Sequence, residues 1–179
     1  MHCYSDPLLA ILLNPIHANI DNPRLFEVEV ERKNLTDNGL KEGWTRMRLI
    51  KELDIPEVSR IQKVAFGILC ALKVYQNEKF VEWANNWLSG KDRNIDSAYN
   101  VLNIINNNID EHIPFSIFYF RNKSAVHAVY SAIFCGYSSA NASAFAIKAS
   151  CHEDINLIDI AKKAIEIEQK LLEGEYVLE

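Results

Sequence analysis

The 179-residue sequence has few of the residues that end helices, because it contains only six glycines and five prolines. Three of the prolines fall within the first 23 residues, and none follows Pro114. Long proline-free tracts permit long helices, since proline lacks the backbone N–H that a helix interior uses. Residues 57–113 and 115–179 are such tracts, and their apolar residues have helical spacing. The sequence therefore predicts that its later two-thirds are mainly helical.

Basic residues are also few, with 19 Lys and Arg against 24 Asp and Glu and a net charge of −5. Phosphate recognition needs Lys and Arg concentrated on one face, so we expect no nucleic-acid partner. A hydrophobic content of 49% is typical of a soluble globular domain. A chain of this length can bury a core without disulfides or metal, and we expect residues 1–179 to form a single helical domain.

Signals for secretion and membrane insertion are lacking as well. The apolar run at 8–13 has no Lys or Arg before it and is closed by Pro15, unlike a signal peptide. Residues 124–147 carry no charged side chain, but five serines and many alanines favour a buried helix over a membrane span. The four cysteines form no CxxC pair, which indicates buried free thiols. These absences predict a cytoplasmic protein without membrane contact.

One segment has a two-residue period. Apolar side chains alternate with glutamate over residues 26–31 and with arginine over residues 45–49, while Asp37-Asn38-Gly39 supplies turn chemistry between them. This pattern predicts an antiparallel β-hairpin over residues 24–52, as an appendage to the helices. Paired in this way, glutamates of the first strand can face arginines of the second.

The remaining chain predicts helices. A short helix at 7–14 should end before Pro15. Larger helical segments lie at about 56–75, 78–89, 94–105 and 124–147, and a last one runs from about Asp154 or Asn156 to Glu173. The fold class predicted is mainly α, an antiparallel bundle of five or more helices with a small N-terminal hairpin.

Two helical segments carry specific patterns. The buried face of the third larger segment is predicted to include Ile95, Ala98, Tyr99, Leu102 and Ile105. In the fourth, small residues recur every fourth position and predict a ridge that another helix approaches closely, at Ala128, Ala132, Gly136, Ala140 and Ala144.

No catalytic, cofactor or metal site is predicted. The sequence lacks a nucleophile elbow, a phosphate-binding loop and any helical pair of metal ligands at i, i+3 or i, i+4. The run Ser150-Cys151-His152-Glu153 has the form of an S-x-x-E capping box that begins the last helix.

Two blocks carry a resemblance to known proteins. Residues 66–72, FGILCAL, are followed by residues 80–93, FVEWANNWLSGKDR. Over about residues 60–150 the chain resembles helical bacterial immunity proteins of toxin systems. The motifs concerned are structural, so no catalytic residue carries over. The resemblance implies a protein-binding role.

We therefore expect a non-enzymatic helical module that binds another protein, as an immunity-like inhibitor would. An acidic surface suits a basic partner, and Trp44, Arg46 and Arg48 are the candidate contact residues, since aromatic and arginine side chains dominate interfaces. In the alternative interpretation, Trp44 seals the hairpin against the helices and the arginines neutralise glutamates.

Two other functions stay open. The last helix could pair with a second copy through an apolar a/d stripe, which would make the protein a homo-oligomeric assembly unit. An enzyme using His127 or His152 as a general base is the second alternative.

Overall fold

The computed structural model describes residues 1–107, 116–134, 136, 138–150 and 155–173, with the side chains of 33, 34 and 168–173 left aside. Within this part, helices predominate and the strands belong to the N-terminal third, so the mainly helical prediction is confirmed. The elements in chain order are β1 (His2–Cys3), α1 (Pro7–His17), β2 (Leu25–Thr36), β3 (Glu42–Leu53), α2 (Arg60–Leu72), α3 (Glu78–Leu88), α4 (Ile95–Asn107), α5 (Ile117–Ile133), α6 (Ser139–Ser150) and α7 (Leu157–Glu173).

The first helix begins where the sequence predicts and ends later. Asp6 is its N-cap, and its side chain accepts a hydrogen bond from a backbone N–H of the first turn at 2.8 Å. The predicted end before Pro15 is wrong, because α1 continues to His17. Pro15 lies in the last turns, where it removes one backbone bond, and Ala18 N–H still donates to the Asn14 carbonyl at 3.1 Å.

The strands form one antiparallel sheet in the order β1-β3-β2. The predicted turn connects β2 and β3: the Leu40 N–H donates to the Asp37 carbonyl at 2.8 Å, and Asn38 and Gly39 have φ of 46° and 88°. Two left-handed residues suit the twist of a tight hairpin. The small sheet near the N-terminus is therefore confirmed.

The sheet contains a third strand that the sequence analysis missed. β1 is only two residues long, and it pairs with β3 at Glu42 and Gly43. The Trp44 N–H donates to the Met1 carbonyl at 2.8 Å, and the Met1 amino group donates to the Trp44 carbonyl at 3.0 Å. Two residues are too few to show a period in the sequence, so only the tertiary pairing identifies this strand.

The core lies among the helices, and α2 is at its centre, packed against α3, α5, α6 and α7. A capping box starts α2: the Ser59 hydroxyl accepts from the Gln62 N–H, and the Gln62 side chain accepts from the Ser59 N–H. Phe66 and Ile68 of α2 and Phe80 of α3 are fully buried. Because α2 is apolar on more than one side, its sequence predicts a central position, and this is where the helix lies.

The predicted ridge of small residues serves helix packing, but on two helices. α5 ends at Ile133 and α6 begins at Ser139, with Gly136 between them at a φ of 92°. The two helices then pack on each other closely enough for the Ser124 hydroxyl to donate to the Ala142 carbonyl at 2.8 Å. Glycine adopts this left-handed conformation readily, so the chain can turn back between α5 and α6 instead of continuing as one helix.

Two predicted core positions in α4 are wrong, because Ile95 and Tyr99 are exposed. The buried stripe of α4 instead contains Ala98, Val101, Leu102 and Ile105. The buried stripe is therefore rotated slightly about the helix axis from the predicted one, since it includes Val101 and leaves out Tyr99.

The cap of the last helix is at Asn156, the later of the two positions predicted for its start, and not at Ser150. Asn156 provides it, with its side-chain oxygen accepting from the N–H groups of Ile158 at 3.1 Å and Asp159 at 3.2 Å. Ser150 is the last residue of α6, and its hydroxyl donates to the Ile147 carbonyl at 2.8 Å. The predicted Ser150 capping box is therefore wrong, and Cys151, His152 and Glu153 lie outside the described residues.

The a/d stripe of α7 faces its own chain. Leu157, Ile160, Ala164 and Ile167 are buried, and α7 packs against α2. A hydrogen bond of 2.8 Å from the Gln62 side chain to the Ile165 carbonyl fixes the two helices together. A second copy could not use these four side chains without unpacking the core.

Candidate functional site

The long hairpin of β2 and β3, which we call the arm, has one charged face. Glu29 lies opposite Arg48 and Glu31 lies opposite Arg46, as the alternation predicts. Both pairs are ion pairs, with 3.5 Å between Arg46 Nη1 and Glu31 Oε2. The prediction that glutamates face arginines across the ladder is confirmed.

The third glutamate of this face has a lysine partner because of a β-bulge. Glu27 lies opposite Lys51 while the next residue, Val28, lies opposite Leu49, so Ile50 is left out of the pairing. The Lys51 amino group is 3.1 Å from the Glu27 carboxylate. The bulge therefore gives all three glutamates at 27–31 of β2 a basic partner on β3.

The structure brings the predicted contact residues Trp44, Arg46 and Arg48 together. They alternate along β3 and therefore share the charged face. Trp44 is half-buried beside the N-terminus, while both arginine side chains are exposed and paired with glutamates. Their role in binding a partner stays a prediction, since charge pairing within the sheet accounts for the arginines equally well.

The opposite face of the arm is apolar and is only partly covered. Val28 pairs with Leu49 and Val30 with Met47, and the Leu49 side chain is 62% exposed. Between this face and the outer side of α1 lies a groove of about 490 Å³, which we call the arm groove. Its apolar lining includes Ala10, Ile11, Ile20, Pro23, Leu25, Phe26, Val28, Met47, Leu49 and Leu53.

An ion pair lies at the edge of the arm groove, beside the start of β2. The Arg24 guanidinium donates two hydrogen bonds to the Glu52 carboxylate, at 2.8 and 2.6 Å, and lies 5.0 Å from the centroid of the Phe26 ring. The hydrogen bond from Arg24 lowers the pKa of Glu52, which keeps the carboxylate charged. A guanidinium over an aromatic ring and paired with a carboxylate gives the groove a charged rim.

A polar contact lies beside the groove near the start of the chain, since Tyr4 is part of the lining. The Tyr4 hydroxyl is 2.8 Å from His17 Nδ1, and the two rings are stacked with centroids 5.7 Å apart. Burial and then the positive charge of Lys41 lower the pKa of His17. The contact therefore joins a neutral imidazole to the strand-helix connection. Sequence reasoning missed it because thirteen residues separate the partners.

The second alternative function depends on histidines, of which His127 is described. Its ring stacks on Phe145 with centroids 5.1 Å apart, and its Nδ1 atom is buried with no hydrogen-bond partner in the described chain. Burial and then the nearby Lys123 lower its pKa. A general base needs a group that orients its second nitrogen, usually a carboxylate, and the charged neighbour here is a cation. His152 lies outside the described residues.

Two cysteines, Cys3 and Cys70, lie within the described residues. Cys70 is fully buried, and burial raises the pKa of its thiol far above the ordinary value, which makes it unreactive. Cys3 is half-buried. The described ranges contain no group of three or more His, Cys, Asp or Glu residues that could hold a metal ion. Cys135, Cys151 and His112 lie outside those ranges.

Among the helices of the described residues, none combines the length and the apolar character that crossing a membrane requires. The site that the structure does provide is the arm, with its charged face, its apolar groove and the rim between them. Comparison with protein-family models, with curated proteins and with solved structures found no match to this chain.

Proposed function

We propose that the chain is a non-enzymatic protein-binding module of the cytoplasm, an inhibitor of the immunity type, that binds its partner through the arm. In this proposal the helices form an antiparallel bundle that holds the arm in place. The single observation that carries the proposal is the arm groove, an apolar concavity with a charged rim.

Scattered exposed apolar residues are normal on protein surfaces and need no explanation. Contiguous apolar side chains that line a concavity are different, because they indicate an interaction site. The groove-lining residue Leu49 belongs to such a set, with Val28 opposite it and Ile11 across the groove. Water against this surface would be released when a partner covers it.

The charges around the groove define the partner further. The chain has a net charge of −5, and Glu27 lies both on the charged face and at the groove lining. We infer a protein partner that inserts apolar side chains into the groove and carries basic residues beside them. Complementary charge increases the association rate and selects among partners.

The two alternatives have less support. Homo-oligomer formation through the last helix would need the a/d stripe of α7, whose described members Leu157, Ile160, Ala164 and Ile167 the core already buries. General-base catalysis by His127 would need an orienting carboxylate, and Lys123 is the charged group beside it.

Matched substitutions on β3 test the proposal. Leu49 lines the groove, whereas the neighbouring Ile50, which is 48% exposed, does not. Tagged wild-type chain, Leu49→Lys and Ile50→Lys would each be expressed in cells of the source organism and purified with bound proteins. We expect a protein that the wild type and Ile50→Lys capture and Leu49→Lys loses. Equal capture by all three variants, or recovery of the chain alone, would refute the proposal.

A further inference from the structure

The outer strand of the sheet has an open edge. Because the order is β1-β3-β2, β2 bonds to β3 on one side and to no other described strand on its second side. No described helix packs extensively along it. An open edge offers backbone N–H and C=O groups to an extended peptide, and proteins use this in strand addition.

The edge also carries a row of like charges. Glu27, Glu29 and Glu31 are two residues apart on one face, with side chains 52, 56 and 61% exposed. An antiparallel β2 from a second copy would place glutamates opposite glutamates, which is destabilising. The row therefore disfavours symmetric pairing of two copies through β2 and favours a strand with positive charge.

We propose that the β2 edge over residues 25–31 binds an extended segment of another protein in which Lys or Arg alternates with apolar residues. The segment adds a fourth strand beside β2, with its basic side chains on the glutamate face. Its apolar side chains extend the face of Val28 and Val30 and cover part of the arm groove. The inference rests on the proposed function and names the chemistry of its partner.

The backbone limits the site to this stretch. Arg32 has a φ of 56°, which interrupts the extended conformation of β2. An added strand can follow regular backbone only before this residue. The same stretch contains all three glutamates of the charged row and Phe26, Val28 and Val30 on the other face. Backbone, charge and apolar surface therefore coincide over residues 25–31.

Synthetic peptides test the inference on the full chain. We would use a capped nine-residue peptide that alternates Lys and Val, a second that alternates Glu and Val, and the Lys–Val peptide methylated at every backbone nitrogen. Fluorescence anisotropy gives each Kd, and backbone amide shifts give the location. We expect the Lys–Val peptide to bind at least about tenfold more tightly than both others, with shifts centred on residues 25–31.

A pair of variants separates local from overall charge. Glu29→Lys should weaken binding of the Lys–Val peptide by about tenfold, and Glu82→Lys on α3, which makes the same charge change elsewhere, by less than about twofold. Circular dichroism shows whether each variant folds. Equal binding of the methylated peptide, or equal effects of the two variants, would mean attraction of charge alone and would overturn the inference.

Two further outcomes would also overturn it. Absence of peptide binding, with Leu49-dependent capture of a protein retained, would remove strand addition and leave the proposed function in place. Self-association of the chain in sedimentation that competes with the peptide would assign the edge to a second copy.

Discussion

Substitution of Gly67 tests how closely α2 and α6 approach. Gly67 is inside α2, and a Cβ atom built on it would lie 3.0 Å from Ser139 Cα and 3.5 Å from Ala142 Cβ. The first contact is with backbone, which cannot rotate away. Gly67→Ala therefore forces the two helices apart in the centre of the core.

Two opposing effects decide the result. Alanine is a better helix former than glycine by roughly 1 kcal/mol, which raises the free energy of unfolding. Overpacking of a well-filled core costs about 1–3 kcal/mol, which lowers it. Since a contact of 3.0 Å with backbone requires a shift of α6, we expect overpacking to dominate, with a net loss of about 1 kcal/mol.

The sign of the change is the test. Urea unfolding followed by circular dichroism would compare wild type with Gly67→Ala and with Asn100→Ala, a change at an exposed position inside α4. Asn100→Ala should raise the free energy of unfolding by a few tenths of a kcal/mol, roughly the difference in helix propensity. If Gly67→Ala also stabilises the protein, α6 does not lie where the structure places it.

Burial of His127 makes stability depend on pH, because the pKa of its imidazole is lower in the folded than in the unfolded protein. The free energy of unfolding therefore has its full value above about pH 6.5 and decreases as the pH falls below it. His127→Phe keeps an aromatic ring against Phe145 and removes the unpartnered Nδ1 atom. It should stabilise the protein by about 1 kcal/mol at pH 7, and urea titrations should show a smaller loss of stability between pH 7 and pH 5 than in the wild type. An unchanged pH dependence would contradict this. Asn156→Ala should lower the free energy of unfolding by about 1 kcal/mol, because α7 loses its cap. Ser150→Ala should change the free energy of unfolding by less than about half as much. If thermal unfolding gave the reverse order, Ser150 and not Asn156 would cap the helix.

The features of the fold that the sequence predicts are those with local causes. The two-residue period of β2, the turn at Asn38-Gly39 and the cap at Asp6 each depend on neighbouring residues, and all three are present. The facing charges of the arm depend also on an irregularity between Lys33 and Leu35. Without this shift, the register set beside the turn would place Glu29 opposite Leu49, whereas the shift places it opposite Arg48. Both register shifts were beyond this reasoning, including the one at Ile50 that places Lys51 opposite Glu27, where unbroken pairing would place Ile50.

The errors have tertiary causes. Pro15 remains helical because the last turns of α1 tolerate the loss of one bond, and Tyr99 is exposed because the stripe of α4 is rotated by its contact with α5. The arm groove was not predicted because its walls come from α1 and from both long strands. Half-exposed apolar residues in a strand have the same pattern as buried ones, so the sequence alone does not show which face is left open.

The arrangement of charge on the arm contributes little to stability, and in the proposed function it selects the partner. The Glu29–Arg48 and Glu31–Arg46 pairs have side chains that are more than half exposed, and exposed ion pairs contribute little because water already solvates both groups. Mixed charges on each strand would stabilise the hairpin equally well. Over residues 27–31, the acidic side chains instead all lie on β2, the outer strand, and their basic partners lie on β3, the inner strand. In the proposed binding, an acidic outer strand favours an added strand of basic character over an acidic one, and comparison of the Lys–Val and Glu–Val peptides measures this preference.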